Sequence, residues 1–149
     1  MYLRRNLKLE PPIGFEGAQV ILMGPRILIV DDHEIVREGL RNLLSQSKPG
    51  WVICGQGKNG EEAVAAVRDL KPDAVVLDIT MPVMSGLEAA RRITKSGARC
   101  RILMFTMHES DSLSREVRDA GAQGFVLKSQ AARNLIAAIE TILAGGTFF

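Results

Sequence analysis

What this sequence lacks narrows it before any motif is read. Of 149 residues only two are cysteine and two histidine, too few for a disulfide-stapled scaffold or a Cys/His metal cluster. Cys54 and Cys100 are far apart and each adjoins an apolar run. They are expected as two buried thiols in a reducing compartment, although spacing alone leaves a disulfide open. Net charge is also small: 19 Lys and Arg against 17 Asp and Glu leave +2. That balance argues against a surface built mainly to neutralise nucleic-acid phosphates. No stretch approaches the roughly 18 consecutive apolar residues of a membrane span, so a cytoplasmic protein without membrane contact is expected. Internal repeats and low-complexity linkers are absent as well.

What is there is an ordinary globular composition, 46% hydrophobic and 24% charged, at a length that suits one domain with a real core. Residues 1–24, MYLRRNLKLEPPIGFEGAQVILMG, do not share the pattern that follows. Their apolar stretch is too short for a signal peptide and no small-residue cleavage site follows it. They are expected as an extension outside the core, with Met23 a natural beginning of the pattern. The alternative is that AQVILM adds an edge strand or a partner contact.

From Pro25 onward, short aliphatic runs alternate with helical spacing. Strands are expected at 26–31, 51–55, 74–78, 101–106 and 124–127, each bounded by Gly, Pro or charge. Between them, Val36, Leu40, Leu43 and Leu44 share one helical face, as do Ala63, Val67 and Leu70. Leu135 or Ile136 begins another such face, continued by Ile139, Ile142 and Leu143, and Gly145 marks its end. Asn59 and Ser85 stand where helix N-caps belong, and Ser85 with Glu88 has the spacing of a capping box. Strict alternation of strand and helix implies an α/β sandwich around a parallel sheet.

ILIVDD at 27–32 raises the functional question, because a strand buried on both faces ends on two adjacent carboxylates. Enclosed like charges cost several kcal/mol unless something positive sits on them. In open parallel sheets the ligand crevice lies beyond the carboxyl ends of the strands. The residues expected there are Asp31 and Asp32, Asp78, Thr106 and Lys128. Taken singly, each has an ordinary reading: an Asp as turn former or cap, a Thr as cap, a Lys as a solvated edge charge. Together, three acids, a hydroxyl and an ammonium form a coherent set. Clustered carboxylates suit Mg²⁺, a hard cation that also binds phosphate. An Asp carboxylate can attack phosphorus, while a Lys and a hydroxyl hold the phosphoryl oxygens.

ILIVDDHEIVREGL, AVVLDITMPVMSGLEAARRI, ILMFT and DAGAQGFVLKS resemble the receiver domain of two-component response regulators, over residues 26–149. The acidic pair, the D-x-x-M-P-x-x-x-G block, the strand-end Thr and the strand-end Lys occur in order. The DDHxxVREGL opening and GGTFF ending are similar to the NarL/LuxR-type subfamily. The resemblance implies a CheY-like, flavodoxin-like, three-layer doubly wound fold: five parallel strands in the order 2-1-3-4-5, formed by residues 25–149. It implies Asp78 as phosphoacceptor, with Mg²⁺ held by Asp31, Asp32, Asp78 and the backbone carbonyl of Thr80. Lys128 would pair with the phosphoryl group, Thr106 would swing to hydrogen-bond it, and Phe125 would be the aromatic that rotates with Thr106. Thr80 and His108 occupy positions that influence phosphoryl lifetime.

A sensor histidine kinase as partner and a phosphorylation-dependent homodimer are further implications. No recognition helix is present, so DNA would be bound only through a C-terminal helix-turn-helix domain outside this sequence. The alternative is a stand-alone receiver acting by protein–protein contacts. A phosphatase with an Asp nucleophile would need a general acid where Thr80 stands. The expected protein is therefore a signalling switch that phosphorylates and dephosphorylates itself, not a turnover enzyme.

Overall fold

The computed structural model describes residues 24–149. The expectations about the leading extension, an AQVILM strand included, fall on 1–23, outside the described residues. The elements run β1 (Arg26–Val30), α1 (Glu34–Ser47), β2 (Val52–Gly57), α2 (Gly60–Leu70), β3 (Ala74–Asp78), α3 (Gly86–Lys95), β4 (Arg101–Thr106), α4 (Leu113–Asp119), β5 (Gly124–Leu127) and α5 (Ala131–Leu143). All strand pairings within the sheet are parallel, and the order is β2-β1-β3-β4-β5. This is the doubly wound arrangement expected from the resemblance.

Alternation along the strands divides the core in two. Ile27, Ile29, Val76, Leu103 and Phe105 face α1 and α5, where Leu40, Leu44, Leu135, Ile139 and Ile142 meet them. Leu28, Val30, Val75, Leu77, Ile102 and Met104 point the other way, against Ala63, Val67, Ala89, Ile93 and Val117 of α2, α3 and α4. Successive side chains on a strand project to opposite faces, so a sheet covered on both sides needs unbroken aliphatic runs. Every residue of β3 is accordingly buried. Enclosing one such Leu or Ile contributes about 2 kcal/mol.

Helix ends follow the local chemistry. Asn59 accepts a hydrogen bond from the Glu62 backbone N–H at 2.9 Å, and Ser85 one from Glu88 at 3.2 Å. The capping box at Ser85 is only half formed: the Glu88 carboxylate turns instead to Arg91 and Arg92. At the end of α5, Gly145 takes φ +94°. Its N–H reaches Ile142 O at 3.1 Å, and that of Gly146 reaches Thr141 O at 2.9 Å. These two bonds are the Schellman closure that favours glycine.

Strand limits differ from expectation in β1 and β2, the second of which also starts one residue later, at Val52. β1 ends at Val30, leaving Asp31 beyond it, while β2 continues to Gly57. The β1–β2 register shifts between Ile27 and Leu28, and the Asp31 N–H still bonds to Gly57 O at 3.1 Å. Pairing with β1 thus carries β2 through Gly-Gln-Gly, residues poor in strand propensity. Beyond α5, Phe148 bridges to Gly124 on the open edge of β5. Cys54 is half-buried and Cys100 buried, and neither is joined in a disulfide.

Candidate functional site

The carboxyl ends of β1, β3 and β5 bring Asp31, Asp32, Asp78 and Lys128 together. Asp31 is wholly buried. Its Oδ1 accepts from the His33 backbone N–H at 2.9 Å, and its Oδ2 faces Lys128 Nζ at 2.7 Å. Lys128 also lies 3.4 Å from Asp78 Oδ2 and 5.7 Å from the centre of the Phe105 ring. One largely enclosed ammonium therefore serves two enclosed carboxylates. Asp32 is more open, yet its Oδ1 is buried and accepts no hydrogen bond, although His33 Nδ1 stands 3.2 Å away.

This imbalance shows in the acidity of Asp78. Burial raises its pKa to about 6; the Asp31 carboxylate adds to the rise, while Lys128 and the Thr80 backbone N–H oppose it. Desolvation and a like charge both disfavour the ionised form. Near neutral pH the carboxylate is nonetheless mostly ionised, and so able to attack an electrophile.

Asp31, Asp32, His33 and Asp78 each offer a ligand atom, and these atoms lie within 4.8 Å of one another. The donor set is dominated by carboxylate oxygens, which suit a hard divalent cation. The buried, unbonded Oδ1 of Asp32 is the kind of atom such a cation would satisfy. On both counts the residues fit a divalent metal.

The loop after Asp78 is shaped by close approach. A Cβ on Gly86 would stand 1.9 Å from the Asp78 carbonyl oxygen, and the Gly86 N–H bonds to Ile79 O at 2.8 Å. Only glycine lets α3 begin against the backbone of the acid. Val83 within this loop takes φ +70°, uncommon for a β-branched residue.

The other expected site residues are Thr80, Thr106, His108 and Phe125. Thr80 is exposed next to Asp78. Thr106 ends β4, one step past Phe105, the register partner of Asp78, and its hydroxyl donates to His108 O at 3.4 Å. His108 is exposed. Phe125 is half-buried in β5 and packs against the α2–α3–α4 side of the core. Its ring centre lies 6.4 Å from that of Phe149, which Arg118 covers at 3.9 Å.

Two participants were not singled out from sequence. Arg37 is buried, donating to Asp31 O at 2.7 Å and to the Gln56 side chain at 2.9 Å. It fixes the turn that presents the acids. His33, the N-cap of α1, makes no capping bond with its side chain and turns its imidazole to the acids. Its adjacency to the acid pair was the available signal.

The family model for the response regulator receiver domain matches residues 27–140. The chain belongs to that family. It is 40% identical over 119 residues to the response regulator UvrY of Escherichia coli K12, covering 80% of this chain and 54% of that protein. It is 38% identical over 121 residues to the transcriptional regulatory protein LnrK of Bacillus subtilis, covering 81% and 54%. This receiver chain thus spans about half the length of the curated relatives it matches. A LuxR-family two-component response regulator from Aurantimonas sp. superposes with a TM-score of 0.79 at 42% identity, over 84% of this chain and 89% of that one. The signal receiver domain of the response regulator NarL from Mycobacterium tuberculosis gives 0.78 at 26%, over 83% and 98%. The chain is therefore a receiver of the NarL/LuxR type, a signalling module. Among the described residues no helix is long and apolar enough to cross a membrane.

Proposed function

We propose that this receiver accepts a phosphoryl group from the phosphohistidine of a sensor kinase onto Asp78, in a Mg²⁺-dependent step. The observation that carries this reading is Asp78 itself: an enclosed carboxylate, raised to about pKa 6, beside Lys128 and the Asp31–Asp32 pair. Mg²⁺ would be held by Asp31, Asp32, Asp78 and the Thr80 carbonyl. When bound it supplies charge neutralisation for the carboxylates and the incoming phosphoryl oxygens.

An Asp78 carboxylate oxygen forms the new O–P bond as the N–P bond of the donor imidazole breaks. The donor leaves with the electron pair of that bond. Lys128, already 3.4 Å from Asp78 Oδ2, is placed to pair with a phosphoryl oxygen. Catalysis of this kind is mostly positioning and electrostatics. Thr106, whose hydroxyl makes a long 3.4 Å bond to His108 O, is able to turn that hydroxyl to the new anion. Phe125 follows into the space that Thr106 leaves, and the β4–β5 face changes. That face controls an output region regulating transcription, a role the name of the Bacillus relative ascribes to that protein. Thr80, two residues beyond the acceptor, and His108, two residues beyond Thr106, set how long the phosphoryl group survives.

The test is incubation of the protein with Mg²⁺ and a small phosphodonor, followed by intact-mass measurement. One adduct of phosphoryl mass is expected, lost on metal chelation and in Asp78→Ala. Continued turnover of the donor without an adduct would mark a phosphatase. An adduct that persists in Asp78→Ala would move the acceptor elsewhere.

A further inference from the structure

The acidic site lies at the carboxyl ends of the strands. Toward their amino ends, between the last turns of α2 and α3, is a cavity of about 420 Å³. Pockets that take small organic ligands have volumes of about 300–1,000 Å³. Val64 and Val67 of α2, Pro72 ahead of β3 and Ile93 of α3 wall it. Val67, Pro72 and Ile93 are buried, so this apolar wall is continuous with the core.

The rest of the lining carries charge of one sign. Arg68, Lys71 and Arg99 are exposed and line the cavity, and among the described residues no carboxylate does. Asp69, next in the chain, pairs with Arg68 at 2.9 Å, so the charge left over is positive. Helix C-termini attract cations on their own account. Here, however, the last carbonyls are already bonded: those of Leu70 and Lys71 accept from the Arg26 guanidinium, and that of Ile93 from the Ser96 hydroxyl at 2.6 Å. Lys71 also takes φ +49°, a conformation that by itself favours Gly or Asn at a helix end. Backbone preference therefore does not explain an ammonium at this place.

We propose that this cavity binds a small amphipathic organic acid, with its hydrocarbon part against Val64, Val67, Pro72 and Ile93 and its carboxylate on Lys71 and Arg99. An inorganic anion would leave the apolar wall uncovered, and a neutral hydrocarbon would leave the cations unused. No residue of the acidic site lines the cavity, so binding here and phosphorylation of Asp78 are measured separately.

The test is a titration of the full chain with octanoate, followed by amide NMR, beside titrations with octanol and octylamine. Saturable shifts of amides within 64–72 and 93–100 are expected, with octanol and octylamine both binding about tenfold more weakly than octanoate. Lys71→Asn combined with Arg99→Gln should reduce the affinity for octanoate to that for octanol. Asn keeps the left-handed turn at the end of α2. Ala98→Trp, at an exposed residue of the lining, should fill the cavity and abolish binding of both. Wild type without saturable shifts, shifts centred outside these two segments, or equal affinity for octanoate and octanol overturns the proposal.

Discussion

The two ends of the sheet bury polar groups in opposite ways. At the amino end of β3, Asp73 is buried and its bonds close within the protein. Its Oδ2 accepts from the Arg26 N–H at 2.8 Å, its N–H reaches Arg26 O at 2.8 Å, and its carbonyl accepts from Arg101 at 3.0 Å. Gln123 does the same for β4 and β5, with its side-chain oxygen on the Ile102 N–H at 2.7 Å. At the carboxyl end, Asp31 and Asp78 share Lys128, and Asp32 Oδ1 is left unbonded. Buried polar groups are ordinarily satisfied. A fully bonded acid holds strands together, and an under-bonded one is held ready for something outside the chain.

Substitution at the closed end should give the largest change, and it should be a loss of stability. Asp73→Ala removes the acceptor of the Arg26 N–H and leaves a partly buried donor unpaired. Hydrogen bonds to a charged group and unsatisfied buried donors each cost on the order of 1.5–3 kcal/mol. A fall of about 3 kcal/mol in unfolding free energy is expected from urea titration. A fall below 1 kcal/mol would mean that the closed end is no more structural than the open one.

At the open end the sign should reverse. The Asp78 carboxyl is raised from 3.8 to about 6 by enclosure. Between these values the folded protein binds the proton more tightly than the unfolded chain, so stability falls as pH rises. The favourable contribution is complete below about pH 4 and lost once pH passes about 6. Asp78→Asn, which cannot ionise, should therefore be more stable than the metal-free wild type at pH 7, by about 2–3 kcal/mol. The difference should vanish near pH 4, and Mg²⁺ should narrow it at pH 7 by stabilising only the wild type. Melting temperatures across pH 4–8, with and without Mg²⁺, measure this. A less stable Asp78→Asn at pH 7 would remove the contrast between the ends.

Much of this was legible in the sequence because it is local. An aliphatic run ending in an acid is read directly from AVVLD, and the helical faces of α1, α2 and α5 emerged with the residues expected. What escaped depends on partners distant in sequence. The extension of β2 to Gly57 is set by its pairing with β1, since Gly-Gln-Gly has little strand preference of its own. The bridge from Phe148 to Gly124 depends on bare backbone: a Cβ on Gly124 would stand 2.3 Å from Phe148 O. Arg37 is buried because Gln56 and the Asp31 carbonyl receive its guanidinium, and neither partner can be assigned from spacing. The acids, Thr106 and Lys128 were read from their strand ends, but the position of His33 against both carboxylates required the turn itself.

The smallest effect separates chemistry from stability at one residue. His108 is exposed, and its carbonyl, not its ring, accepts the Thr106 hydroxyl. His108→Ala should therefore leave the melting temperature unchanged, unlike Asp73→Ala. If the imidazole limits the approach of water to phosphorylated Asp78, its removal should shorten the lifetime of the adduct about threefold, a barrier change below about 1 kcal/mol. The rate at which phosphate is acquired should not change, because Asp78 and Lys128 are untouched. Decay of the phosphorylated protein after removal of the donor measures the effect. A lifetime equal to wild type would make His108 an ordinary exposed loop residue, and would confine the chemistry of the open end to the residues it buries.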